Sequence, residues 1–247
     1  MLKVLIISFS IFVVGCSSTT SKIENLLCQF PSKATVLLKK ENSLLQYWDY
    51  DQESLLNKTN FQHLDFLNSY QKRIKDKVKD LNQKTLRSRS YHLEKAGDQQ
   101  NMRAVEPLLS SIRRISCQEA LLLNLQGSRV DLIKRPTEFL AFELKKGGSI
   151  RLFYVTANTE GVRGLGLIHE TIENFINEGW SLEKNIHNHT LNLNNKNYRG
   201  TVGPSVSDAF VYQMELKDFG LPKAVITNGF ETMEIPSSFF EKLSTKF

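Results

Sequence analysis

Apolar residues along the chain fall into distinct patterns, and the first is an uninterrupted block. Val4 to Gly15 carries no charge and follows the basic start Met1-Leu2-Lys3. Those twelve residues are too few for a helix to cross a hydrocarbon core, which takes roughly 20. A positive start and a short apolar run ending at small residues predict a secretory signal instead. From Phe61 to Arg89 the pattern changes to helical spacing, with Leu64, Leu67, Tyr70, Ile74, Val78, Leu81 and Leu86 in phase. An amphipathic helix is predicted there, and Lys72, Arg73, Lys75, Lys77, Lys79, Lys84 and Arg87 give it a basic outer face. That face suits either plain solvation or contact with lipid headgroups, a peptide or a glycan.

Further along, Gly97 to Asn101 reads as a loop. A second helix is expected over Val105 to Arg113, and a third over Cys117 to Leu125 with Gly127 as its stop. Leu44 to Tyr50 is apolar and aromatic without a period, so it takes no assignment. A helix from His169 to Glu178, ended by Gly179, leads through Trp180-Ser181-Leu182 into a short strand reaching His187 and His189. A helix over Ser207 to Phe219 precedes Lys223 to Thr227, then Asn228-Gly229, then Phe230 to Ile235. Asn-Gly between two β-prone runs is a hairpin signal. A last helix is expected over Ser237 to Leu243, after Pro236.

Composition narrows the class. The chain has 247 residues, 40% apolar and 23% charged, which excludes wholesale disorder and allows a substantial core. With 13 Gly and 6 Pro it is not fibrous, and no fixed-period repeat suggests a solenoid. A net charge of +6 favours anionic surfaces only mildly, too weakly to indicate nucleic acid as a partner.

The residues Val13-Val14-Gly15-Cys16 resemble the bacterial lipobox, whose cysteine is acylated and becomes the mature N-terminus. Ser17 to Lys22 would then be a polar tether holding a domain off the membrane. Ser17 after the acylated cysteine resembles the pattern sorted to the outer membrane. The expected location is therefore the cell envelope, lipid-anchored through Cys16, facing the periplasm. Cys28 and Cys117 remain, either as a disulfide that an exported protein is free to form or as two buried thiols. His63 and His92 stand alone and carry no chemistry.

Candidate chemistry lies after residue 135. Side chains two apart on a strand face the same way, so His187 and His189 can converge on one Zn²⁺ while Asn188 points away and is free to pin the backbone. Pro204-Ser205-Val206-Ser207-Asp208 has the form of a capping box, with Ser205 at the N-cap and Asp208 three residues on. A carboxylate in the first turn of a helix also suits a third metal ligand. Two imidazoles, one carboxylate and an open position make a catalytic zinc arrangement, whereas a closed structural site takes four protein ligands.

His187-Asn188-His189 followed by Ser205-Val206-Ser207-Asp208 resembles the JAMM motif of the JAB/MPN metallopeptidases. Thr137 to Leu144, Gly147-Gly148-Ser149-Ile150 and Leu152 to Val155 resemble that family's opening hairpin, which is preceded by a glutamate. Glu138, 49 residues before His187, fits that position better than Glu143, 44 before. The resemblance covers about residues 115–247 and departs in two places: fifteen residues separate His189 from Ser205, more than is usual, and Thr190 stands where proline is common. Leu191 to Gly203 reads as a surface loop over the site.

The resemblance implies an α/β (α+β) fold, a cytidine-deaminase-type mixed sheet flanked by helices. It implies Zn²⁺ held by His187, His189 and Asp208, with Glu138 as general base and acid and Ser205 stabilising the oxyanion. It implies hydrolysis of an amide or isopeptide bond, and the exported location points to envelope peptides as substrate. A non-catalytic envelope lipoprotein using the same fold as a binding scaffold is the alternative. The expected division is a signal peptide over 1–15, a lipid-anchored tether over 16–30, a helical region over 31–114 and a zinc domain over 115–247.

Overall fold

Eight strands make one mixed sheet in the order β1-β2-β5-β4-β6-β7-β8-β3. They are β1 (Thr35–Lys40), β2 (Ser43–Asp51), β3 (Arg113–Arg114), β4 (Phe139–Lys146), β5 (Ser149–Ala157), β6 (Ser181–Asn188), β7 (Lys223–Thr227) and β8 (Glu231–Pro236). The helices are α1 (Asp65–Lys77), α2 (Ala96–Ala104), α3 (Cys117–Arg129), α4 (Leu165–Asn177) and α5 (Val206–Phe219), with short 3-10 segments between elements. The structure, a computed structural model, describes residues 27–41, 43–56, 58–77, 96–157, 165–191 and 200–246. The signal sequence, Cys16 and the tether up to residue 26, residues 78–89 of the first expected helix, His92 and residues 192–199 of the expected loop lie outside the described residues.

Helices cover both faces of the sheet. On one face Leu67, Tyr70 and Ile74 of α1 and Ala120 to Leu123 of α3 pack against Trp48, Phe139, Ala141, Leu152, Tyr154 and Ile186. On the other, Met102 of α2, Ile168, Ile172 and Phe175 of α4 and Ala209 and Tyr212 of α5 pack against Leu140, Phe142, Phe153, Val155 and Ile226. Alternation along β4 puts Phe139 and Ala141 on the first face and Leu140, Phe142 and Leu144 on the second. The fold class is thus mixed α/β, as expected.

The stretch over 31–114, expected to be helical, is corrected by two of these strands. β2 pairs with β5 along its whole length, from Ser43 opposite Ala157 to Asp51 opposite Ser149, and β1 pairs with β2. One sheet therefore runs through the boundary expected near residue 115. Leu44 to Tyr50 lacks a period because β2 is covered on both sides: Leu44, Trp48 and Tyr50 face α1 and α3, while Leu45 and Tyr47 face α4.

Four further expectations change. Gly97 to Asn101 is helix α2, not a loop. Val105 to Arg113 is not one helix: Pro107 sits in a 3-10 segment over Glu106–Ser111, and Arg113 already pairs with Thr232 of β8. Gly127 does not stop α3, which runs to Arg129; a Cβ at Gly127 would lie 2.0 Å from the Phe66 ring of α1. Gly127 is there for close helix packing. The last expected helix is a 3-10 segment over Ser237–Lys242.

The two hairpins form as read. Gly147 takes φ 58 in the β4–β5 turn and Gly229 takes φ 88 between β7 and β8. Cys28 and Cys117 are joined by a disulfide with their Cα atoms 5.5 Å apart, which fastens the start of the described chain to the first turn of α3. Tyr70 makes a second tie: its hydroxyl donates to the Asn228 carbonyl and accepts from the Leu191 N–H, holding α1 to the segment just after His189. Among the described residues, no helix is long and apolar enough to cross a membrane.

Candidate metal centre

β6 carries the histidines to the second face of the sheet, beneath the N-terminus of α5. His187 is in the strand, and His189 follows its end, where its N–H still bonds the Thr227 carbonyl of the parallel neighbour β7. Ser205 is the N-cap of α5, and its hydroxyl oxygen accepts the Asp208 N–H at 3.2 Å. The Asp208 carboxylate accepts the Ser205 N–H at 2.7 Å in return. The capping box and the candidate ligand are one arrangement: the bond that satisfies the helix end also aims the carboxylate at the imidazoles.

Their geometry is tight. The two Nε2 atoms stand 3.1 Å apart, with Asp208 Oδ1 at 3.5 Å from His187 Nε2 and Oδ2 at 3.2 Å from His189 Nε2. The three side chains are 7, 14 and 16% exposed, so the cluster is enclosed and still reachable. Among the described residues, His187, His189 and Asp208 are the group that could hold a metal ion.

Hydrogen bonding decides what the cluster lacks. His189 Nδ1 lies 2.9 Å from the Thr201 carbonyl, which only accepts, so Nδ1 carries the proton. The lone pair of neutral His189 then sits on Nε2, facing Asp208. Tyr212 Oη stands 3.4 Å from His187 Nδ1 and backs the other ring. Neutral His189 thus presents a lone pair at Nε2, 3.1 Å from His187 Nε2 and 3.2 Å from an Asp208 carboxylate oxygen that also only accepts. Such a set is stable only with a cation at its centre, a proton or a metal ion.

The titration directions agree. Burial works against protonated His189, but the Asp208 carboxylate, helped by Glu138 and the Thr201 carbonyl, outweighs it and lifts His189 to about 9. Burial also works against ionised Asp208, and the two imidazoles outweigh it, holding the acid well below the usual carboxylate range. Tyr212 is pushed well above its ordinary value by burial, then by Asp208, Glu215 and Glu138, so it stays a neutral phenol.

Glu138 immediately precedes β4. Leu140, two residues on, pairs with His187 at the end of the β4–β6 ladder, which brings Glu138 close to the histidine end of β6. Its charge reaches both His189 and Tyr212. Asn188, fully buried on the opposite face, accepts the Phe139 N–H at 2.8 Å and donates to the Thr137 carbonyl at 3.1 Å. The backbone on either side of Glu138 is pinned to the residue between the two histidines. Glu143 lies elsewhere: it faces α3, bonded to Gln118 and Lys184.

Thr201, Tyr212, Thr137, Asp98 and Asn101 escaped sequence reasoning. Tyr212 had a signal, since it lies one turn after Asp208 on the same helix face. A main-chain carbonyl such as that of Thr201 has none. His63 bonds the Cys28 carbonyl and His169 lies 3.9 Å from Asp218, both outside the cluster.

Compared with known proteins, the chain matches no family model, no curated protein and no solved structure.

Proposed function

We propose that this protein is a zinc-dependent metallopeptidase or isopeptidase of the JAMM type, held in the bacterial envelope by a lipid on Cys16. The observation that carries the reading is the spacing of the three ligand groups. A tetrahedral zinc ion with bonds of about 2.0–2.1 Å separates its ligand atoms by roughly 3.3 Å. The two Nε2 atoms are 3.1 Å apart, Asp208 Oδ1 is 3.5 Å from His187 and Asp208 Oδ2 is 3.2 Å from His189, and one ligand atom from each residue falls within 4.8 Å of the others. Three protein ligands leave a fourth position open, the mark of a catalytic centre.

When bound, zinc supplies a Lewis acid and lowers the pKa of water towards neutrality. The chain supplies the rest. The Thr201 carbonyl fixes the His189 tautomer, and Tyr212 backs His187. The Glu138 carboxylate, whose charge acts on His189, takes a proton from attacking water and returns it to the leaving amine. The Ser205 Oγ accepts the Asp208 N–H and keeps its own O–H, which donates to the developing oxyanion. Amide and isopeptide bonds in envelope peptides are the substrate class this chemistry and location favour. The Cys28–Cys117 disulfide suits an oxidising compartment.

The test is hydrolysis of a library of amide- and isopeptide-linked peptides by the zinc-loaded protein, beside Glu138→Gln. Turnover that falls at least a hundredfold in the variant, with zinc retained, supports the reading. No turnover by either protein at full zinc occupancy favours a binding scaffold.

A further inference from the structure

The first turn of α5 carries Asp208, and residues about a hundred positions earlier hold that turn in place. Three backbone N–H groups at this helix end find partners. Ser205 N bonds the Asp208 carboxylate, Asp208 N bonds Ser205 Oγ, and Val206 N bonds Asp98 Oδ1 of α2 at 2.7 Å. Asn101, also on α2 and fully buried, donates to the Ser205 carbonyl at 3.2 Å and to the Ser244 carbonyl at 3.1 Å, and accepts the Ser244 N–H. The N-cap is therefore tied on both sides, through its own carbonyl and through the next N–H.

The packing around these bonds has no slack. A Cβ at Gly97 would stand 2.3 Å from the Lys246 carbonyl oxygen and 2.5 Å from Val206 Cγ2. A Cβ at Gly203, just ahead of the turn, would fall 1.6 Å from Met102 Sδ. Both glycines let α2 sit directly against the segment that leads into α5.

We propose that Asp98 and Asn101 are positioning residues of the metal centre, an inference that rests on His187, His189 and Asp208 holding metal. The capping box is local: it fixes the Asp208 carboxylate relative to its own helix and says nothing about where that helix end stands relative to β6. Asp208 must reach both imidazoles, 3.5 Å from one and 3.2 Å from the other, and these lie on a different element. Asp98 and Asn101 supply that external reference. Asp98 also sets a negative charge at the positive end of the α5 dipole.

The experiment measures zinc affinity by chelator competition on the detergent-solubilised full chain, for wild type, Asp98→Ala and Asp98→Asn. Groups that orient a metal ligand are worth about 10–100-fold in affinity. Asp98→Ala is expected to bind at least tenfold more weakly. Asp98→Asn keeps an acceptor oxygen for Val206 N–H and is expected within about threefold of wild type. A merely structural role would lower the melting temperature of metal-free Asp98→Ala and leave its affinity alone, which overturns the proposal, as does an Asp98→Asn affinity as weak as that of Asp98→Ala. Wild type that takes up no zinc overturns the metal reading itself. Amide exchange at Asp208 then decides whether Asp98 holds the turn: a tenfold rise in Asp98→Ala supports that role, and an unchanged rate overturns it.

Discussion

The side-chain amide of Asn188 accepts the Phe139 N–H at 2.8 Å and so joins the strand bearing the histidines to the chain at Glu138. The same amide donates to the Thr137 carbonyl and to Thr190 Oγ. Asn188→Ala removes these bonds from a fully buried site and strands the Phe139 N–H. A buried donor without a partner costs about 1–3 kcal/mol. Urea melts should show a loss of that order, while zinc stoichiometry stays at wild-type level because no ligand is removed.

Asp208→Asn keeps the size of the side chain and an acceptor for the Ser205 N–H but removes the charge facing two imidazoles. It should destabilise the metal-free fold, because the charge that lifts His189 is gone, and weaken zinc binding by at least a hundredfold. Thermal melts with and without zinc separate the two effects. Wild type should gain melting temperature on adding zinc, and the variant should not.

Glu215 gives the clearest pH dependence. It is buried on α5 against Asn185, and burial, only partly offset by the Asn185 hydrogen bond, raises it to about 8 from an ordinary 4.5. An acid raised on folding favours the protonated folded state. Its contribution is therefore full below about 4.5 and lost as pH rises towards about 8, while His189, lifted to about 9, adds its own decline from about 6.5 upward. Glu215→Gln should remove the decline between about 4.5 and 6.5 and lessen it above, matching wild type near pH 4.5 and exceeding its stability at pH 8 by a few kcal/mol, roughly 4 at most. Denaturant titrations across that range, on metal-free protein, check it.

Cys28 and Cys117 are 89 residues apart in sequence, and their disulfide shortens a long loop in the unfolded chain. Chain-entropy arguments put that at about 4–5 kcal/mol. Cys28→Ser with Cys117→Ser should lose stability of this order, and reducing agent should destabilise wild type while leaving the double variant unchanged. Equal urea midpoints for both proteins would contradict it.

How much of this could be read from the chain differs by region. His187, His189, Ser205 and Asp208 were legible because strand alternation and helix capping are local rules, and the bonds observed between Ser205 and Asp208 are those the sequence predicts. β1 and β2 were not, because β2 is sandwiched between helices and the alternation that marks a half-exposed strand is erased. α2 failed for the opposite reason. Gly97, Asp98 and Asn101 look like a loop, yet each is set by a distant partner: Gly97 by Lys246 and Val206, Asp98 by Val206, Asn101 by Ser205 and Ser244. Local propensity was overridden by contacts no spacing rule encodes.

The central claim is that His187, His189 and Asp208 hold one zinc ion. It is tested most directly by measuring bound metal in the purified protein beside Asp208→Ala, after equilibration with zinc and removal of excess. The account predicts close to one zinc per wild-type chain and a small fraction of that in the variant. Equal, negligible zinc in both proteins would contradict it.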